Sequence, residues 1–342
     1  MEIIVPAAGL STRFPGTRPK YLLYDYSGTL MLRKALEPFI GKYNITIGIL
    51  HQHAIQYDAV KIINREVGNV NIVVIDQPTK GPAETVYRIL NKFEKDVEFL
   101  VKDCDNFFDI NYITGNVIYT SDIRHHETLR KLASKSFVTL NSQGLVLGIV
   151  EKEIVSNYFC IGAYKFESSN QYKQAYDAIL KNSNKEIFVS HIISYMLDNN
   201  VVFLNKDIID FVDAGTLEDW NKYNYKPTIF CDIDGTLVKS MHRPYDGEYE
   251  VLKNNYSVIK REYDRGCQII FTTARPSSAE AVTSIMLQQL GFVNCKLIMG
   301  LHNAPRILIN DYHPTNKYPS ALSFNVKRDE DDLGELYHEQ AN

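Results

Sequence analysis

Short apolar runs recur along the chain in EIIVPAA, ITIGIL, VNIVVID and VEFLVKD, and again in TIFCDID, QIIFTTA, KLIMG and RILIND. Runs of this length, rich in Ile and Val and bounded by polar or turn residues, predict buried strands. Helix-like segments fall between many of them, which predicts α/β architecture with parallel sheets. Two helix starts are marked by their own chemistry. Pro82 follows Gly81 at the first helical position ahead of ETVYRILNKF, and Ser277 with Glu280 three residues later reads as a capping box on a helix closed by Gly291. No internal repeat is present. The polar, Tyr-rich stretch from Asn221 to Pro227 precedes a fresh strand, so a domain is expected over 1–224 and a second over 225–330, with 331–342 an acidic, solvated tail or short surface helix.

Composition narrows the functions. The length of 342 residues suits two domains, and a formal net charge of -4 gives no field for grasping nucleic acid. Cys104, Cys160, Cys231, Cys267 and Cys295 are scattered, with no CxxC pair, so neither a disulfide framework nor a zinc site is expected. With no signal-like or membrane-spanning stretch, a cytoplasmic protein without membrane or nucleic-acid partners is the expectation.

Candidate chemistry appears first where the N-terminal strand runs into AAGLSTRFPGTRPKYLL, which carries Gly9, Arg13, Arg18 and Lys20. A small-residue loop lets backbone N–H groups approach phosphates while Arg and Lys neutralise them. The dinucleotide fingerprint is absent, because Ser11 stands where its second glycine would be. Asp103 and Asp105 close the strand EFLVKDCD, and Asp213 follows the strand-like DFV. Strand-end carboxylates are where open α/β sheets hold metal and substrate.

In this order the residues resemble the sugar-phosphate nucleotidyltransferase family over roughly Met1 to Tyr223. The resemblance implies a mixed-sheet, Rossmann-like (GT-A-like) domain that moves a nucleotidyl group from an NTP to a phosphorylated sugar or polyol and releases pyrophosphate. It implies that Arg13 and Lys20 contact the triphosphate and that Ala8, Gly9, Gln77, Gly81, Ala83 and Asp103 bind the nucleotide. Asp105 and Asp213 would hold Mg²⁺, while Glu151, Lys152 and Gly162 would hold the second substrate. Gln77 can pair with a pyrimidine edge, and the domain lacks the long C-terminal extension of many hexose-specific relatives, so CTP is the first expectation for the base and UTP or dTTP the second.

The second constellation is DIDGT, where Asp232 and Asp234 lie two residues apart at a strand end and point into one cleft, one suited to attack phosphorus and the other to protonate a leaving oxygen. With TTARP (Thr273, Arg275) and RILIND (Asn310, Asp311) it resembles the haloacid dehalogenase superfamily over roughly Lys226 to Arg328. That implies a smaller, capless Rossmann-like phosphohydrolase with Asp232 as nucleophile and Asp234 as general acid/base. Thr273 would hold the phosphoryl group, Arg275 would lie on the substrate side, and Mg²⁺ would sit among Asp232, Asp234 and Asp311. The family's usual lysine before its last motif is replaced by Leu301, which leaves Lys296 or Arg306 to supply the charge.

The whole is expected to be a bifunctional enzyme of nucleotide-activated sugar or polyol synthesis for surface polysaccharide, possible as a homo-oligomer. Its rivals are a protein whose second domain is only a scaffold and a nucleotide-sensing binder. His51, His53, His125 and His126 have no acidic partner at metal-ligand spacing and are expected to be exposed and bland. Trp220 is expected either to anchor the two domains or to end a helix.

Overall fold

The computed structural model describes all residues except 112, 126–131, 183–185, 241–247, 312–320 and 341–342. His126 lies outside the described residues. The chain forms two compact units, Met1–Asn224 and Tyr225–Asn342.

The strands of the first unit are β1 (Glu2–Ala7), β2 (Asn44–Leu50), β3 (Asn71–Ile75), β4 (Phe99–Lys102), β5 (Asn106–Phe107), β6 (Asn116–Asp122), β7 (Ser136–Leu140), β8 (Val146–Glu151), β9 (Tyr158–Phe166), β10 (Phe203–Asp207) and β11 (Val212–Asp213). Its helices are α1 (Met31–Leu36), α2 (His51–Gln56), α3 (Ala59–Glu66), α4 (Pro82–Leu90), α5 (Ser169–Asn182), α6 (Val189–Asp198) and α7 (Leu217–Asn224). The main sheet runs β10-β6-β9-β4-β1-β2-β3, with β7 pairing β8 and β9, while β5 and β11 form a separate ribbon. Alternation along β1 feeds two cores. Ile3 and Val5 pack with Leu32, Leu36 and Ile63 on one face, and Ile4 packs with Val86, Tyr172 and Ile192 on the other.

The sheet is mixed, as the resemblance implied, since β9 is antiparallel to both β4 and β6 while the other pairings along the row are parallel. β6 escapes an apolar reading because Thr120, Ser121 and Asp122 are buried in it. Their polar atoms are satisfied across the strand: Thr120 Oγ1 donates to Asn205 Oδ1 at 2.8 Å and Ser121 Oγ to the Ile208 carbonyl at 2.6 Å. His53 is a second correction. His51 is exposed, but His53 is buried on α2, with Nδ1 3.2 Å from the Tyr21 hydroxyl, and burial lowers its pKa. His125 is exposed as expected. Trp220 packs inside this unit, in a cluster with Phe14, Met31, Phe107 and Ala214.

The second unit holds β12 (Thr228–Asp232), β13 (Gln268–Thr272) and β14 (Lys296–Ile298) in a parallel sheet of that order, with α8 (Lys253–Asp264), α9 (Glu280–Gln289) and α10 (Leu333–Gln340). Cys231, Ile233, Val258, Phe271 and Met286 form its core. The acidic end of the chain is a helix tied to this core: Leu333 is buried, and its N–H donates to Asn255 Oδ1 at 2.9 Å.

Two expectations fail here. Ser277–Ala279 is a 3-10 turn, and α9 starts at Glu280 after Ala279, which gives no side-chain cap; the serine lies too far upstream to cap it. Gly291, at φ +82°, does follow the helix end. RILIND forms no strand, and Ile307 and Ile309 are 82% and 92% exposed. Its residues have the β-propensity of a strand, but propensity does not supply a ladder partner.

Candidate active sites

In the first unit the loop after β1 leaves the sheet at Ala8, which is buried, and exposes Gly9 and Leu10. Ser11 takes φ +53°, a left-handed conformation in which glycine is unstrained, and its hydroxyl accepts the Lys20 N–H at 3.2 Å, closing the loop. Phe14 anchors the same loop in the core, so Arg13 is left exposed and Lys20 is directed inward. Arg18 stays exposed.

Lys20 Nζ forms an ion pair with Asp105 Oδ2, and Arg13 Nη2 lies 4.0 Å from the same oxygen. Burial, the largest single influence, would lower the Lys20 pKa, but the Asp105 charge and hydrogen bond together with Cys104 outweigh it and raise the value. Burial would likewise raise the Asp105 pKa, yet Lys20 holds it well below the usual carboxylate range. Asp103 is pushed up to about 6, first by burial and then by the Asp105 charge.

The β5–β11 ribbon places Asp213 directly opposite Asn106 and therefore beside Asp105. The Ala214 N–H donates to the Asp105 carbonyl at 2.8 Å, and the Gly215 N–H to Asp213 Oδ1 at 3.0 Å. A methyl group built on Gly215 would lie 3.0 Å from Asp213 Oδ1, 3.1 Å from Asp105 Oδ2 and 3.7 Å from Arg13 Nη1. Asp105, Asp213 and Arg13 thus ring one point from three separate segments. Two carboxylates and an opening held by glycine suit a hard divalent cation such as Mg²⁺.

On the far side, Glu151 Oε2 accepts the hydroxyls of Ser136 and Ser190, each at 2.5 Å. Lys152 takes φ +60°, with its amine over the Phe188 ring at 4.3 Å from the centroid. Gly162, at φ +76°, lets Asp103 and Asn106 press against its Cα, and its carbonyl accepts the Asp103 N–H at 2.8 Å. Gln77 is exposed after β3, and Ala83 is buried at the start of α4. Gly81 is fixed by close approach, since a side chain there would meet the Ile187 carbonyl at 2.8 Å.

Two lysines here were missed by the sequence reading. Lys135 Nζ forms an ion pair with Asp213 Oδ2. Lys102 is fully buried, and its amine donates to the Asp103 carbonyl at 2.9 Å, the Asn106 carbonyl at 2.8 Å and the Asn106 side chain, shaping the turn that carries Asp105. Burial pushes its pKa down to about 8. A charged residue inside the apolar run EFLVKD was the signal for Lys102; Lys135 sits in no motif.

In the second unit, Asp232 ends β12 half-buried, and Arg306 Nη2 donates to its Oδ1 at 2.8 Å. Its pKa is raised by burial, against the Arg306 charge. Arg306, one of the two candidates to replace the lysine missing at Leu301, is therefore the one on the aspartate, while Lys296 is exposed at the start of β14. Arg275 is buried and grips Asp234 with Nε to Oδ2 at 2.8 Å and Nη2 to Oδ1 at 2.7 Å, braced by Thr283 Oγ1 at 3.1 Å. Thr273 Oγ1 donates to Asp234 Oδ2 at 3.2 Å. The turn between them needs Gly235 at φ +84°, where a side chain would meet Arg328 Cγ at 2.8 Å. Asp311 is exposed at the end of the RILIND segment. Among the described residues of either unit no three His, Cys, Asp or Glu side chains are gathered to hold a metal ion.

Residues 229–298 match the family model of haloacid dehalogenase-like hydrolases. The strands of the second, smaller sheet fall almost wholly within this stretch, so that unit is similar in sequence to hydrolases of that family. A search of curated proteins finds no match. Among solved structures, a nucleoside-diphosphate-sugar pyrophosphorylase from Vibrio cholerae is 16% identical, with TM-score 0.56, over 64% of this chain and 98% of that one. The inositol-1-phosphate CTP transferase from T. maritima is 17% identical, with TM-score 0.52, over 64% of this chain and 90% of its own. A UDP-glucose pyrophosphorylase is 15% identical, with TM-score 0.50, over 65% of this chain and 96% of its own. The mixed sheet has the sugar nucleotidyltransferase fold. Among the described residues no helix is long and apolar enough to cross a membrane.

Proposed function

We propose that the chain is a bifunctional enzyme whose first unit transfers a nucleotidyl group, CTP being the first choice of donor, to a phosphorylated sugar or polyol, and whose second unit hydrolyses a phosphomonoester. The observation that carries the first half is the convergence of Asp105 and Asp213 on the opening at Gly215, with Arg13 and Lys20 alongside. Asp105 and Asp213 would hold Mg²⁺, which when bound offsets negative charge around the α-phosphate. The acceptor's phosphate oxygen forms a bond to the α-phosphorus as the bond to the β-phosphate oxygen breaks, and pyrophosphate leaves with its charge met by Arg13 and Lys20. No covalent protein intermediate is needed. The likeness to a CTP transferase and to a UDP-glucose pyrophosphorylase supports a pyrimidine base. Ala8, Gly9, Gln77, Gly81, Ala83 and Asp103 are assigned to the nucleotide, and Glu151, Lys152 and Gly162 to the acceptor.

In the second unit we assign Asp232 as nucleophile, Arg306 as the cation that compensates the aspartyl-phosphate, and Thr273 as phosphoryl ligand. A second reading has its own observation. Both oxygens of Asp234 are held by Arg275, which favours a unit that binds phosphate without hydrolysing it. We place the work of the chain in the cytoplasm, on nucleotide-activated precursors of surface polysaccharide; five unpaired cysteines fit a reducing compartment. The test is a matrix of four NTPs against phosphorylated sugars, polyols and amino alcohols in Mg²⁺, read by pyrophosphate release, with phosphate release from a phosphomonoester panel read separately. A pyrimidine nucleotide should give the highest kcat/KM; a purine preference overturns the choice of base, and no pyrophosphate from any pair overturns the transfer.

A further inference from the structure

We infer that Lys135 binds the acceptor's phosphate, so that the site has a cation on the attacking side to match Lys20 on the leaving side; the inference rests on the nucleotidyltransferase reading. The geometry is an ordered row. Lys20 pairs with Asp105, the Gly215 opening separates Asp105 from Asp213, and Asp213 pairs with Lys135. Lys20 arrives from the loop after β1, with the groups assigned to the triphosphate. Lys135 comes from a different segment, at the head of β7, where its carbonyl accepts the Lys152 N–H at 3.0 Å and Ser136 pairs in register with Glu151. It therefore belongs to the wall assigned to the acceptor.

The Lys152 amine lies over Phe188, whereas the Lys135 amine reaches the carboxylates. Its side chain is 22% exposed, open enough to meet a ligand and sheltered enough for its charge to count. Burial raises the proton affinity of both Asp103 and Asp105, and the Lys135 charge acts on both in the opposite sense, so its field reaches the centre of the site. The chemistry requires such a group. A phosphomonoester dianion must approach a bound triphosphate, and a divalent ion shared between them leaves much of that repulsion unmet. A metal held by the aspartates would compete with Lys135 for Asp213 and leave its amine available to the acceptor's phosphate.

The experiment uses the full chain and inorganic phosphate as probe, read by hydrogen exchange of peptides covering 132–140 and 203–216, with Mg²⁺ alone and with Mg²⁺ plus a non-hydrolysable CTP analogue. Wild type should show phosphate-dependent protection of these peptides. Lys135→Met should raise the phosphate concentration required by about tenfold or more, while the analogue concentration that protects residues 8–22 changes by less than about twofold. Lys135→Arg should recover most of the loss, which a packing defect would not. The inference is overturned if Lys135→Met responds to phosphate as wild type does, if it loses nucleotide as severely as phosphate, or if wild type gains no protection from phosphate. Phosphate protection at 132–140 without any analogue-dependent protection at 8–22 would retain an anion site at Lys135 and overturn the nucleotidyltransferase reading instead.

Discussion

Both units place aspartates at or just beyond strand ends beside basic side chains, and they use that arrangement differently. In the first, Asp105 and Asp213 come from separate segments and converge, each with its own lysine and with an opening between them. In the second, Asp232 and Asp234 are neighbours in sequence, yet each is held by a different arginine. A lysine is a compact charge that can yield a carboxylate to an arriving metal. A bidentate arginine fixes both oxygens in place. In the proposed mechanism the lysines of the first site would yield to a metal, whereas Arg275 holds both oxygens of Asp234 in the second.

The sharpest break between the two is expected from charge removal at one site only. Asp232→Asn should reduce phosphomonoester hydrolysis by roughly three orders of magnitude or more and leave pyrophosphate release nearly unchanged, and Lys20→Ala should do the reverse. Loss of both activities in Asp232→Asn, with circular dichroism unchanged, would show that the sites are coupled. Next in size is Arg306→Leu. If this residue compensates the aspartyl-phosphate, hydrolysis should fall roughly a hundredfold and recover in part in Arg306→Lys. Equal rates in all three proteins would favour the binding-only reading of the second unit.

How much of this could be read from the sequence differs by site. The strands that deliver Asp105, Asp232 and Thr273 were legible, because apolar runs with a carboxylate or hydroxyl at the end mark both the element and its chemistry. The β5–β11 ribbon was not legible as pairing, since two-residue strands carry no periodicity, yet it alone sets Asp213 beside Asp105. Lys135 was hidden for the same reason: its partner lies in a distant segment. RILIND shows the opposite error, where a strand-like run stays exposed. Local pattern reports what a segment prefers, and a site is made of pairings between segments.

Smaller effects sharpen the comparison on the side of stability. Gly162→Ala would force a side chain into a left-handed conformation against Asp103 and Asn106, and should cost roughly 1–3 kcal/mol, measured by urea denaturation, with loss of transfer and retention of hydrolysis. The smallest effect is a pH dependence. Because the Asp103 pKa is raised in the fold to about 6, its contribution is fully present below the ordinary aspartate range and is lost as pH rises through about 6. In the presence of chelator, Asp103→Asn should therefore flatten the fall in denaturation midpoint over that window; an unchanged slope would place the titration elsewhere.

The central claim is that Asp105 and Asp213 act together on one metal. Its most direct test is pyrophosphate release in Mg²⁺ by wild type, Asp105→Asn and Asp213→Asn, using the best nucleotide and acceptor from the matrix. Each single variant should lose at least about a hundredfold in kcat, and the double variant should lose little more than either, as expected of two ligands serving one ion. Near-normal release by both single variants, or losses that simply multiply in the double variant, would contradict it.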